Sequence, residues 1–294
     1  MDLKQLEYLV CVVESGSFSR AAVALNLAQP SVSRQIALLE EELGQRLLTR
    51  TGRGVTATEA GEALLVHART MLASSRAARD ELRDMGDSPS GRIVIGMPPR
   101  VALGISVPLV RRFRERFPRA VITILEGLSI PLRESLMAGR LDLALLFDPP
   151  ATPQLSYTQL SRERLLLIAP PGHRLPKSVS LSSLADYPLI LPSAPNAIRN
   201  LVDAALRPQG VQLKVHAEVG AVNTVLALVA HGQGCTILPE SAVALGLQGP
   251  PLPRTPIGPP EIWNTLMLAV PKAKPANRLI RETSKLLTEL DFRG

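Results

Sequence analysis

Between residues 3 and 56 the apolar positions recur in short helical stretches. Leu3, Leu6, Val10 and Val13 share one face of a first helix that Gly16 stops. Ser17 is the expected N-cap of a second, with Phe18, Ala21, Ala22 and Leu25 turned inward and Asn26 at its end. After the turn Leu27-Ala28-Gln29, Pro30 sits where a first helical residue tolerates its missing N–H, and a third helix runs on to Gly44. Its apolar residues Val32, Ile36, Leu39 and Leu43 fall within about 60° of one another, whereas Pro30, Ser33, Arg34 and Ala37 face the other way. The period then changes. The runs 45–50 and 55–57 read as two short strands around the tip Thr51-Gly52-Arg53-Gly54. From Ala57 to Gly86 a proline-free run predicts one helix about 45 Å long, opened by a capping box of Thr56 and Glu59. Along it Gly61, Ala68, Ser75 and Leu82 occupy one heptad position and Leu64, Met71, Ala78 and Met85 the other. That seam of mostly small residues suits close approach of a second helix.

The cluster Asp87-Ser88-Pro89-Ser90-Gly91 reads as a linker. Beyond it, strand patterns at 92–97, 120–126 and 141–147 alternate with helices from Pro98-Pro99-Arg100 to Phe117 and from Pro131 to Gly139. This order implies a parallel sheet with right-handed crossovers. Strands at 164–169, 188–192, 211–219 and 235–238, with helices near 195–207 and 221–231, predict a second lobe of similar build. A strand at 262–270 returns, and a last helix runs from about Pro275 to Leu290. The expected fold class is α+β multidomain. A winged helix-turn-helix occupies 1–58, a long linker and dimerisation helix with its hinge 59–90, and a two-lobed α/β domain 91–294. Within the last, lobe I covers about 91–161 and 268–294 and lobe II about 162–267, a pair similar to a type 2 periplasmic-binding-protein domain.

The chain has 294 residues, 46% hydrophobic and 20% charged, enough apolar material for more than one core. Its longest early apolar run, Tyr8 to Val13, has no basic region before it, so no signal peptide is expected. No run approaches the roughly 20 apolar residues that span a membrane, and two distant cysteines, Cys11 and Cys235, make no disulfide framework. The expected location is the cytoplasm. The net charge of +7 is misleading as a nucleic-acid signal, because residues 1–86 carry ten basic against eleven acidic side chains and the excess lies in the remainder. Local chemistry decides instead. The outer face of the third helix is small and hydrogen-bonding: Gln29, Pro30, Ser31, Ser33, Arg34 and Gln35 suit a helix end entering a major groove, with Arg for guanine edges, Gln for adenine edges and Ser for phosphates. Arg50 and Arg53 on the hairpin suit phosphates or the minor groove.

The segments Leu3–Leu9, Gly16–Ala22, Leu27–Ile36, Leu38–Gly44, Leu47–Arg50 and Thr56–Gly61 together resemble the winged helix-turn-helix of LysR-type transcriptional regulators. Order, spacing and helix phase agree over about the first 65 residues, and the resemblance continues as architecture along the rest. It implies a regulator without catalytic activity or cofactor that binds double-stranded promoter DNA and assembles with itself as a dimer of dimers. It also implies a small-molecule effector in the C-terminal domain and contact with RNA polymerase. Ser17 to Ile36 would be the helix-turn-helix, with Gln29, Pro30, Ser33 and Arg34 toward the groove and Arg50 and Arg53 on the wing. The Pro98-Pro99 and Glu126–Ser129 stretches are similar to the subgroup containing the nitrogen assimilation control regulator.

Ligands of such sheets sit at the C-terminal strand ends. Those positions are Pro98, Pro99, Arg100, Ser129, Phe147 and Asp148 in the first lobe, with Ser193, Asn196, Asn223 and Thr224 in the second. Where related proteins present a Ser or Thr after the first strand, this chain has Pro98-Pro99-Arg100. Arg100 either pairs with an anionic effector or is a solvated helix-start residue. Signals for an enzyme are poor: His67, His173, His216 and His231 lack metal-ligand spacing, and there is no G-x-S-x-G or P-loop. The rival reading is a cytoplasmic solute-binding or enzymatic α/β protein whose first 86 residues mediate protein contacts.

Overall fold

A computed structural model describes residues 1–52, 54–83, 89–246, 251–272 and 277–292. Helix α1 (Leu3–Ser15) starts in a capping box in which the Asp2 carboxylate accepts from Gln5 N and the Gln5 carboxamide accepts from Asp2 N, and it ends at Gly16, whose φ of 61° suits glycine. Helices α2 (Phe18–Ala24) and α3 (Gln29–Leu43) follow, and then the hairpin β1 (Leu48–Thr51) and β2 (Gly54–Ala57), paired antiparallel with Arg50 opposite Val55. Leu9, Ile36, Leu39, Leu47 and Leu65 form one small core here, and Val12, Ala21, Ala22 and Val32 a second. Leu43, expected on the inner stripe of α3, is exposed because the last turn of the helix runs past its neighbours.

The hairpin is fastened at three points. Val55 N donates to Gly16 O at 3.0 Å, and Gly54 lies so near Gly16 that a side chain there would overlap its carbonyl oxygen. The Glu40 carboxylate, on α3, accepts from Leu47 N at 2.7 Å and Leu48 N at 3.2 Å. Gly61 packs its bare α-carbon on Leu47 O.

Helix α4 (Glu59–Arg83) is 25 residues long, and its capping hydroxyl is Thr58, which accepts from Gly61 N at 3.1 Å. The expected cap, Thr56, lies inside β2 instead, because the hairpin continues to Ala57 before the chain can turn. Gly61, Leu65 and Ala68 are buried, Leu65 in the core with α1, so part of the expected heptad seam is used within the chain. Met71 and Leu82 are exposed, whereas Met85 lies outside the described residues. Arg69 reaches back to Glu14 at 3.2 Å.

The C-terminal domain begins with β3 (Ser90–Met97), α5 (Pro99–Arg116), β4 (Arg119–Glu126), α6 (Ser129–Met137) and β5 (Leu143–Phe147). β3 pairs in parallel with β4, Ile93 opposite Ile122, and with β5, Ile95 opposite Leu143. β6 (Leu155–Ile168) is a 14-residue strand crossing from one lobe to the other, and it starts well before Arg164, where the sequence pattern begins its strand. Its first half is polar and half-exposed, so alternation is weak there, and pairing with β11 holds it. The second lobe contains β7 (Leu189–Pro192), α7 (Ala197–Leu206), β8 (Val215–Val219), α8 (Val222–Ala230), β9 (Thr236–Pro239), α9 (Glu240–Gly246) and β10 (Arg254–Pro256). β11 (Trp263–Pro271) returns, and α10 (Arg278–Thr288), capped by Asn277, closes the chain; Pro275, its expected start, lies outside the described residues.

The main sheet runs β10-β6-β11-β5-β3-β4, with β9 also paired to β6. β7 and β8 form a separate parallel pair. A parallel bridge between Leu189 of β7 and Cys235 beside β9 extends this pair, so the second lobe is built like the first: parallel strands flanked by one antiparallel strand, β6 against β9 as β11 is against β5. One core gathers Ile93, Ile95, Phe113, Leu145, Leu266 and Leu286, another Leu165 to Ile262, so only β6 and β11 carry the chain between lobes.

Candidate DNA interface and effector cleft

On α3 the first turn has Ala28 at the cap position with no side-chain bond, and Pro30 lies within it. The leading backbone N–H groups are thus free of a side-chain cap, a favourable place for phosphate oxygens. Pro30, Ser31, Arg34 and Ala37 are exposed while Val32, Ile36 and Leu39 are buried, so the phase read from the sequence holds in space. Gln29 and Ser33 are half-buried on the flanks. Three expected contacts have internal partners. The Ser17 hydroxyl caps α2 by accepting from Arg20 N, and Gln35 accepts from Gln5 on α1 at 3.4 Å. Arg50 donates to the Ser33 hydroxyl at 3.4 Å and lies 4.9 Å from the centre of the Phe18 ring. It remains exposed, bridging the hairpin and α3. Arg53 lies outside the described residues. Exposed Ser19 and Arg20 in the first turn of α2 extend the same polar surface, a position legible from their spacing after Ser17.

A cavity of about 380 Å³ opens between the lobes, lined by the start of α6, the residues after β5 and the start of α7. It brings together three of the expected effector residues, Ser129, Phe147 and Asp148. The Ser129 hydroxyl accepts from Phe147 N at 2.9 Å and keeps its own proton to donate. Asp148 adopts φ 43°, and its carboxylate accepts from the Asn264 carboxamide at 2.8 Å and from Thr265 N at 3.2 Å. Burial pushes its pKa up, while those hydrogen bonds and the Arg162 charge oppose the shift.

Other expected residues serve the fold. Asn196 is buried and caps α7 through Ile198 N at 2.9 Å. Pro98 is buried at the cap of α5, Pro99 is exposed in its first turn, and Ser193 N is bound to Val219 O. Asn223 and Thr224 are exposed in the first turn of α8, outside the cavity lining. Arg100 is neither solvated nor free: it donates to Glu163 and Asn264, each at 3.3 Å, and to the Ser241 hydroxyl, and it stacks 4.7 Å from the Phe147 ring centre. Desolvation lowers its pKa, and Glu163 counters that. Its carboxylate partner is the chain's own, which position along the sequence does not reveal. The cavity takes Arg133 and Asn200 instead, both overlooked because they lie on helices and not at strand ends. Among the described residues no group of three His, Cys, Asp or Glu side chains could hold a metal ion.

The profile of the bacterial regulatory helix-turn-helix protein, lysR family, matches residues 3–62, and that of the LysR substrate binding domain matches 86–291. The chain belongs to the LysR family. It is a DNA-binding transcriptional regulator with an effector-binding domain. It is 37% identical over 246 residues to the nitrogen assimilation regulatory protein nac of Klebsiella aerogenes, covering 82% of this chain and 79% of that protein. In shape it is similar to a full-length OxyR variant from Pseudomonas aeruginosa, with a TM-score of 0.82 at 22% identity over 99% of this chain and 96% of that one. CbnR complexed with its target DNA gives a TM-score of 0.63 at 24% identity, over 98% and 99% of the two chains. Relatives of this LysR-type chain are named as transcriptional regulators and not as enzymes.

Proposed function

We propose that this LysR-type regulator reads promoter DNA with the first two turns of α3 and is controlled by a small molecule, carrying an anionic group, seated between the lobes. Arg34, Ser31 and Pro30 enter the major groove, Gln29 and Ser33 flank them, and Arg50 and Arg53 of the wing approach phosphates. The observation that carries this reading is the exposure of Arg34 opposite the buried Val32, Ile36 and Leu39. A two-fold assembly doubles so short a contact and reads an inverted repeat. Exposed Met71 and Leu82 on α4, and Leu103, Val107, Val121 and Leu125 on α5 and β4, supply apolar surface for that self-association, which we take to be a dimer of dimers. Closure or opening of the lobes around the ligand then changes how the assembly holds DNA and presents it to RNA polymerase. The setting is the cytoplasm, where the promoter is, and no helix among the described residues is long and apolar enough to cross a membrane.

Footprinting on the intergenic DNA beside its own coding sequence tests the reading. Expected is protection of a dyad, with affinity falling steeply as salt rises. Equal affinity for random DNA at every salt concentration would overturn it.

A further inference from the structure

Two charged groups of opposite sign line the inter-lobe cavity without neutralising each other. Nε of Arg133, on α6, is buried and lacks a hydrogen-bond partner, and no carboxylate among the described residues pairs with that guanidinium. Asp148, on the same cavity, accepts its hydrogen bonds from neutral groups, Asn264 and Thr265, and the Arg162 charge acts on it without forming an ion pair. Thr265 N is shared by both carboxylate oxygens and the Thr265 hydroxyl adds a further bond, which leaves acceptor capacity on a carboxylate with about four such positions. Partly desolvated charges of this kind gain from a counter-charge brought by a ligand. Ile130, Phe147 and Leu201 make the rest of the wall largely apolar.

Resting on the reading of this cavity as the effector site, we infer that its ligand is a small zwitterion, an α-amino acid with an apolar side chain. Its carboxylate accepts from Arg133, its ammonium donates to Asp148, and its side chain lies against Ile130, Phe147 and Leu201. A plain carboxylate satisfies Arg133 but sets an anion beside Asp148. A plain amine does the reverse. Phosphorylated ligands bring two negative charges to the same carboxylate, and the cavity volume lies at the small end of the roughly 300–1,000 Å³ of ligand pockets.

Calorimetric titration of the full-length protein separates these cases. The probes are aliphatic and aromatic L-amino acids, the 2-hydroxy acids that exchange the ammonium for a hydroxyl, and the amines that lack the carboxylate. Expected is binding of at least one amino acid, with its hydroxy acid and its amine each about tenfold weaker or worse. Asp148→Asn preserves the shape of the side chain, tolerates the positive φ, and should shift the preference about tenfold toward the hydroxy acid. Arg133→Met should abolish amino-acid binding while leaving the melting temperature of the domain intact, and Arg133→Lys should restore part of it. Should Asp148→Asn fail to fold, the Arg133 pair decides alone. Hydroxy acids that bind wild type as tightly as amino acids, an amino-acid series that does not bind at millimolar concentration, or an Arg133→Met protein that still binds it would each overturn the inference. If the amino acid binds as described but DNA complexes are unmoved by it, the ligand class stands and the effector role falls.

Discussion

The outer face of α3 and the inter-lobe cleft treat polar residues of the same kinds in opposite ways. On α3 the side chains Ser31 and Arg34 face solvent, as the proposed contact with a groove of DNA requires. Of the polar residues expected at the strand ends around the cleft, several are already consumed: Asn196 caps a helix, Asp148 orients the β11 start, and Arg100 is tied to Glu163 and Ser241. A surface made to bind DNA keeps its donors free, since water holds them at little expense until phosphates replace it. An interior cannot, because a buried donor left unmade costs about 1–3 kcal/mol. What is left over in the cleft, the Arg133 guanidinium above all, is therefore informative in a way that an exposed arginine is not.

The largest test of this contrast concerns Arg100. Arg100→Met leaves the Glu163 carboxylate without its cation, and removing one partner of a buried pair costs about 3–5 kcal/mol. Chemical denaturation should show that loss in the C-terminal domain, with the Arg100→Met/Glu163→Met protein recovering most of it; a single variant as stable as wild type would mean that Arg100 is solvated after all. In the other region the sensitive feature is steric. Gly61→Val drives a side chain into the Leu47 carbonyl and should cost the N-terminal domain about 3 kcal/mol, visible as an earlier melting transition and lost DNA retardation while ligand binding persists. By comparison Arg34→Ala should leave both domains folded and reduce the preference for operator over random DNA by roughly 1–3 kcal/mol; an unchanged ratio in competition gel shifts removes Arg34 from the reading face.

The smallest effect expected is an exposed ion pair far from both regions. Lys285 and Arg116 hold the Glu282 carboxyl below the usual carboxylate range. A depressed folded-state pKa adds stability above the unfolded value, and that stability is lost as pH falls through the folded one. Glu282→Gln should accordingly lower stability by less than about 1 kcal/mol at neutral pH and by nothing in strong acid. Melting temperatures of the two proteins that stay parallel across that range would show that the pair contributes nothing.

Much of the N-terminal region was legible from period alone, because its three short helices each bury one stripe, α1 and α3 stop at a glycine, and α2 stops at Leu25 before Asn26 with its positive φ. The departures there concern neighbours: Leu43 continues the stripe but finds nothing to pack on, Gly61 and Ala68 keep heptad spacing but are buried within the chain, and Thr56 resembles a cap but is held in a strand. In the cleft the order of elements was legible, yet the polar first half of β6 shows no alternation, and positions at strand ends overlook Arg133 and Asn200.

By itself, then, the sequence determined which segments are helix or strand, which face of α3 is turned outward, and the family to which the chain belongs. Those are consequences of interactions spanning a few residues, and a local pattern records them in full. Which arginine is free and which is taken was decided only when β6, α9 and β11 came within hydrogen-bond distance of Arg100, from residues 63 to 164 positions away along the chain. A charged side chain looks the same in sequence whether or not such a partner arrives, and its chemistry depends on nothing else so strongly.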